Sequence, residues 1–204
     1  MNNTSNLQKR VIPVIVMLAI TLVFISITTT LYTFTREKVL LNESLVLKKA
    51  ILSSSGIEPP EDSRDIEKLY SEKVREARGD DGYVIYYSIF EKDPLHPKSY
   101  VFIQSGAGLW GNITIAVGYD PAIERIMGFE VIDQNETPGL GGRITEPWFK
   151  EQFRGKNLPL KTVPEGIQAD ENEFDAITGA TNSSNAIRDI VNAATEKARS
   201  AISK

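Results

Sequence analysis

Between Val11 and Phe34 the chain carries no charged residue, and Val, Ile, Leu, Met, Phe, Ala and Thr dominate the run. A helix of that length, rising about 1.5 Å per residue, can cross a hydrocarbon core of about 30 Å. Thr28, Thr29 and Thr30 can return their hydroxyls to helix carbonyls, which makes them compatible with lipid. Pro13 is expected in the first turn, where a missing amide proton is harmless. A cleaved signal peptide has an apolar core of only about 7–15 residues and then a small-residue cleavage site. Here the run is longer and ends in Leu31-Tyr32-Thr33-Phe34, which predicts an uncleaved single-pass anchor. Lys9 and Arg10 precede it with no acidic residue before them, whereas Arg36, Glu37, Lys38 and Glu43 mix the signs after it. Counting basic residues alone favours a cytoplasmic N-terminus and places everything from about Glu37 outside the cytoplasm.

The rest of the 204 residues can hold one ordinary domain. A net charge of −4 gives nucleic acid no electrostatic footing. The absence of cysteine excludes disulfides, thiolate metal sites, iron–sulfur ligation and thiol catalysis. The single histidine, His96, sits among Pro94 and Pro97 in a turn-rich stretch and cannot by itself make a triad or a histidine metal site. No catalytic residue and no metal ligand is therefore assigned, and any chemistry falls to an organic cofactor.

Val39 to Leu52 spaces its apolar residues helically and reads as a stalk, stopped by Ser53-Ser54-Ser55-Gly56 and the rigid Pro59-Pro60. Asp65 to Ala77 reads as a charged, exposed helix ending before Gly79-Asp80-Asp81-Gly82. The period then changes: Tyr83–Phe90, Tyr100–Gln104, Asn112–Tyr119 and Arg125–Asp133 are strand candidates joined by short turns, which points to an antiparallel sheet. Thr145 to Phe153 reads as a short helix, with Pro147 near its start and Gly155 after its end. From Ser183 to Ile202, Ile187, Ile190, Val191, Ala194, Ala198 and Ile202 form one apolar stripe. The expected fold is α+β: one N-terminal transmembrane helix, then one extracytoplasmic domain with a mainly antiparallel sheet flanked by helices. The expected division is a cytoplasmic tail over 1–10, the anchor over 11–34, stalk and exposed helix over 35–81, and a functional domain over 82–204.

Gly106-Ala107-Gly108-Leu109-Trp110-Gly111 spells G-x-G-x-x-G, but strand-like residues follow it, so the helix that a dinucleotide fingerprint needs is missing. A glycine-rich hairpin holding Leu109 and Trp110 at a pocket edge is the natural reading. Asp175-Ala176-Ile177-Thr178-Gly179-Ala180-Thr181-Asn182-Ser183-Ser184 feeds small and hydroxyl residues into the mouth of the last helix. Thr181 or Ser183 can serve there as an ordinary N-cap, or the orphan amides can hold a phosphate. Glu136-Thr137-Pro138-Gly139-Leu140-Gly141 contains a Pro-Gly tight turn, either a plain surface turn or a backbone edge free to approach a ligand.

The segment from Asp175 to Thr181 resembles the flavinylation motif of the FMN-binding domain found in the G subunit of Rnf complexes and the C subunit of the sodium-translocating NADH:quinone oxidoreductase. The Glu136–Gly141 segment is similar to that family's second hallmark, beside the flavin ring. Trp148 and Phe153-Arg154-Gly155-Lys156 resemble the stretch after it, and a single membrane helix belongs to the pattern. Asn182 departs from it, since an apolar residue is expected there. The resemblance implies an electron relay through FMN joined by a phosphoester to Thr181. It implies that Thr178, Gly179, Ala180, Ser183 and Ser184 cradle the phosphate through amides or hydroxyls. Glu136, Thr137, Gly139 and Leu140 would line the ring, with Leu109 and Trp110 as apolar neighbours and Lys156 as a cation for the phosphate or ring. The implied partners are the lipid bilayer, a flavin transferase during maturation, and other membrane subunits. Compactness favours an Rnf-type complex in the cytoplasmic (inner) membrane, whereas the Leu109-Trp110 hairpin favours the quinone-reductase branch. The competitor from another class is a non-redox, membrane-tethered module that binds an anion reversibly.

Overall fold

The computed structural model describes residues 3–91, 93–167 and 169–202. Met1 and Asn2, part of the expected cytoplasmic tail, lie outside the described residues. Two compact units divide the chain, Met1–Ser44 and Leu45–Lys204, and helix α1 (Asn3–Ser54) runs from the first into the second.

In the first unit the apolar side chains from Val11 to Phe34 are exposed. The helix is apolar and long enough to span a membrane. Five of its hydroxyls are satisfied internally: Thr21, Ser26, Thr28, Thr30 and Thr33 each donate to the carbonyl four residues back. In hydrocarbon that return bond removes the penalty of an unpaired hydroxyl. Pro13 is not in the first turn as expected. The helix begins at Asn3, so Pro13 lies in its interior and removes one rung of the backbone ladder.

The second unit is built on a five-stranded antiparallel sheet in the order β1 (Val74–Arg78), β2 (Val84–Ile89), β3 (Ser99–Ala107), β4 (Asn112–Tyr119), β5 (Ile126–Asp133). Strand alternation sends Phe102, Ile113, Ile115, Val117, Tyr119 and Phe129 to one face, where α4 (Thr181–Ile202) and α3 (Pro147–Glu151) cover them. Phe149, Phe153 and Phe174 stack into that core. The opposite face carries Tyr87, Ile89, Val101 and Ala116 against Ala50, Ile51 and Leu52 of α1 and Ile66 of α2 (Ser63–Lys73). The predicted α4 stripe is the buried one: Ile187, Ile190, Val191, Ala194 and Ala198 are all inside. Ile190 comes so close to Gly106 of β3 that any side chain there would overlap it.

Two elements differ from the sequence reading. The helix expected over Asp65–Ala77 ends at Lys73, and Val74–Arg78 is the edge strand β1. Pairing with Tyr86, Tyr87, Ser88 and Ile89 supplies bonds that helical continuation would have to forgo. Residues 45–54, read as stalk, contribute buried core. A short 3-10 helix (Gly141–Thr145) and the two-stranded parallel pair β6 (Lys161–Val163) and β7 (Glu173–Asp175) were not anticipated.

Helix α1 ends where predicted. Gly56 takes φ +82, and the Ile57 and Gly56 amides bond back to Leu52 and Ser53. This end docks on a paired-glycine step of the sheet, Gly118 opposite Gly128. A Cβ on Gly118 would overlap the Ser54 carbonyl oxygen, and one on Gly128 would lie 2.7 Å from it. Gly118→Ala is therefore expected to destabilise the second unit by about 2 kcal/mol or more, read as a lower urea midpoint of the detergent-solubilised chain. An unchanged midpoint would show that the docking is loose.

Candidate functional site

Three segments distant in sequence meet at the N-terminus of α4. The first is the β3–β4 hairpin tip, closed by the Gly108 amide donating to the Gly111 carbonyl at 2.7 Å. Leu109 and Trp110 stand at its apex, 54% and 69% exposed. The G-x-G-x-x-G string is thus a strand–turn–strand element, as its flanks required.

The second segment follows β5. The Leu140 amide donates to the Thr137 carbonyl at 3.1 Å, Pro138 and Gly139 occupy the central positions, and Gly139 has φ +75. That is a type II turn, which needs a positive φ at its third residue. Thr137, Gly139 and Leu140 are exposed at its surface.

The third segment is the approach to α4. A second turn of the same kind runs from Ile177 to Ala180, closed at 2.9 Å, with Gly179 at φ +81. Helix α4 begins at Thr181, which is exposed; among the described residues its hydroxyl has no protein partner. The amides of Thr181, Asn182 and Ser183 stand in the first turn, where a helix supplies no carbonyl to meet them. The two turns face each other, since the Leu140 Cδ2 lies 3.4 Å from where a Gly179 Cβ would stand.

Glu136 joins the segments. Its side chain is 4% exposed. Oε1 accepts the Leu109 amide at 2.9 Å and the Trp110 amide at 3.0 Å, and Oε2 accepts the Ser183 hydroxyl. Glycines make room for it. A Cβ on Gly108 would lie 2.6 Å from Oε1, and one on Gly141 would lie 2.7 Å from Oε2. Ser184 braces the third segment in the same way, accepting the Ile177 amide at 3.0 Å and donating to the Ala180 carbonyl at 3.2 Å.

The expected site residues therefore sort into two layers. Thr181, Thr178, Gly179, Thr137, Gly139, Leu140, Leu109 and Trp110 are exposed around one mouth, with Ala180 buried just beneath. Glu136, expected to line a ring, instead points inward with both carboxylate oxygens occupied. Of the Ser183 and Ser184 amides or hydroxyls expected to cradle a phosphate, both hydroxyls are buried and committed within the protein and the Ser184 amide donates to the Ala180 carbonyl at 3.1 Å, which leaves the Ser183 amide. Lys156 is engaged elsewhere, donating to the Asp170 carbonyl at 2.8 Å.

Other participants were not anticipated. Glu165 accepts the Thr178 amide at 2.8 Å. The turn that carries Glu165 is held by Asp175, whose Oδ2 takes the Gly166 amide at 3.1 Å, and Gln152 fixes the Asp175 backbone. Arg143 lies over the Trp148 ring at 5.2 Å and pairs with Glu146 at 3.3 Å. No local pattern marks Glu165 or Gln152, because their partners are remote in sequence.

Residues 108–196 match the FMN-binding domain family. All the exposed mouth residues and the Glu136 brace lie inside that match. The chain is similar to the G subunit of the ion-translocating oxidoreductase complex of Methanosarcina acetivorans, 28% identical over 198 residues and covering 96% of each chain. It is 27% identical over 148 residues to the C subunit of the Na(+)-translocating NADH-quinone reductase of Vibrio alginolyticus, spanning 67% of this chain and 57% of that one. In fold it matches the crystal structure of the C subunit of the Na(+)-translocating NADH-quinone reductase from Parabacteroides distasonis, with TM-score 0.68 and 23% identity over 83% of this chain and 97% of that one. The α+β architecture is shared with that structure.

The exposed residues of the matched region fit FMN. First-turn amides with the positive end of the α4 dipole suit a phosphate. The side-chain-free surface of Gly179 lets it approach. Exposed Leu109, Trp110 and Leu140 offer apolar cover to a flat ring.

The Thr178 hydroxyl and amide beside Glu165, with Arg143 nearby, hold its carboxyl below the usual carboxylate range. A lowered value means that the Glu165–Thr178 bond persists above the ordinary carboxylate pKa and is lost as pH falls through the depressed one. The Thr178 amide resonance is expected to titrate below the range of a free glutamate, and Glu165→Gln should abolish that step. A titration at the ordinary value would show the bond to be absent in solution.

Proposed function

We propose that the chain is the electron-transfer subunit of an Rnf-type ion-translocating oxidoreductase, with FMN tethered through a phosphoester to Thr181. The observation that carries the reading is an exposed, unpartnered Thr181 hydroxyl at the first turn of a helix, inside an FMN-binding domain. The ion-translocating oxidoreductase character is shared by the relatives, and end-to-end similarity to the G subunit of an ion-translocating complex supports the Rnf type. The fold and the Leu109–Trp110 hairpin favour a second reading, the C subunit of a sodium-translocating NADH:quinone reductase.

FMN supplies the acceptance and release of electrons. The chain supplies the rest. Thr181 holds the phosphoryl group, the α4 amides neutralise it, and Thr178 and Gly179 leave it room. Leu109, Trp110 and Leu140 cover the ring system. The hydroxyl of Thr181 has no neighbouring base to activate it among the hydrogen bonds of the described residues, so attachment is assigned to a flavin transferase. With the N-terminus cytoplasmic, the domain lies on the extracytoplasmic side of the inner membrane. There a tether keeps occupancy independent of free flavin, which would otherwise be diluted away. A single-pass carrier must receive and pass electrons, which assigns its partners to other membrane subunits of the complex.

Intact mass of the full chain co-expressed with a flavin transferase tests this reading. The native chain should gain the mass of FMN less water, and Thr181→Ala should gain none. No adduct on the native chain would overturn the tether and leave a helix N-terminus that binds anions reversibly.

A further inference from the structure

Among the described residues Glu136 is the only charged side chain in the buried interior. The contacts of its carboxylate all bridge distant segments: Leu109 and Trp110 lie 27 and 26 residues away, and Ser183 lies 47 residues away. Both oxygens are engaged and face the hairpin and the Ser183 hydroxyl, so neither is free to act as a base on Thr181. Gly108 and Gly141 leave room for the two oxygens, since a Cβ on either would overlap one of them, so the carboxylate sits in a close-fitting slot. Thr181 lies two residues before Ser183 in the same helical turn. The brace therefore fixes the distance between the apolar Leu109–Trp110 apex and the turn that presents Thr181.

We propose that Glu136 is a positioning residue for flavin attachment, acting through hydrogen-bond reach rather than through charge. This rests on the reading of Thr181 as the flavin anchor. Glutamine keeps the reach: its carbonyl oxygen can accept the two apex amides while its NH2 donates to the Ser183 oxygen, which can accept as well as donate. Aspartate keeps the charge but is one methylene too short to meet both segments. Alanine loses both, and leaves the two half-buried apex amides and the buried Ser183 hydroxyl without the carboxylate that pairs them.

The full chain, co-expressed with a flavin transferase, is compared as wild type, Glu136→Gln, Glu136→Asp and Glu136→Ala by intact mass. Glu136→Gln should be loaded within about twofold of wild type, whereas Glu136→Asp and Glu136→Ala should fall about tenfold or more, the factor that one lost hydrogen bond represents. Amide hydrogen exchange of the unloaded chains gives a readout independent of flavin. Leu109 and Trp110 should exchange about tenfold faster in Glu136→Ala than in wild type or Glu136→Gln, with β4 and the C-terminal half of α4 unchanged. Loading of Glu136→Ala at the wild-type level would overturn the proposal, as would loading of Glu136→Asp with loss in Glu136→Gln. If Glu136→Ala unfolds throughout, the ranking of Glu136→Gln above Glu136→Asp still decides. Should wild type itself remain unloaded, the tether at Thr181 fails, while the exchange rates at Leu109 and Trp110 still test the brace.

Discussion

A carboxylate taken out of water must recover its lost hydration from hydrogen-bond donors, or it will not stay inside. Glu136 recovers it from three donors on two other segments, two backbone amides of a hairpin apex and one hydroxyl of a helix turn. None of those donors is near it in sequence, so the bonds exist only when the β3–β4 hairpin, the loop after β5 and the start of α4 are all in place. The converse also holds: while the carboxylate is buried, those segments cannot drift apart without stranding it. The exposed mouth above, with Thr181, Gly179, Leu140 and Trp110, inherits its shape from that demand.

Around this point the fold supplies rigidity from two sides. Helix α4 seats its apolar stripe on β3 and β4, with Gly106 allowing Ile190 to come close. The other face of the sheet receives the end of α1 on the Gly118–Gly128 step. Glycines thus let the Ile190 side chain approach the β3 backbone at one face and the α1 backbone approach the sheet at the other, and they make room for the carboxylate at Gly108 and Gly141. A site of this kind is preorganised. Its first-turn amides belong to a helix whose other end is packed in a core, and its apolar wall belongs to a hairpin whose strands pair in full register.

The anchor and the FMN-binding domain differ in how they satisfy their polar groups. In the span, polar groups are met locally, as by the Ser26, Thr28 and Thr30 hydroxyls that return to carbonyls one turn back. In the domain, the decisive polar contacts are long-range. This is why the span was legible from composition alone, while a strand such as Val74–Arg78 was not. Its residues are charged and helix-compatible, and only pairing with Tyr86, Tyr87 and Ser88 makes it an edge strand. The same reason hid Glu165 and Gln152, which act on partners far along the chain.

By itself the sequence determined the membrane helix, strands β2 to β5, the amphipathic α4 and the Pro138-Gly139 turn, because each rests on local periodicity or on a φ that only certain residues tolerate. Which hydroxyl opens that helix stayed open between Thr181 and Ser183 in the sequence, and the structure starts α4 at Thr181. Only the tertiary structure decided which polar groups face a ligand and which face inward. Glu136, Ser183 and Ser184 look as available as Thr181 in the string of letters. Burial separates them, because a side chain chooses between solvent and protein partners only when elements remote in sequence close around it.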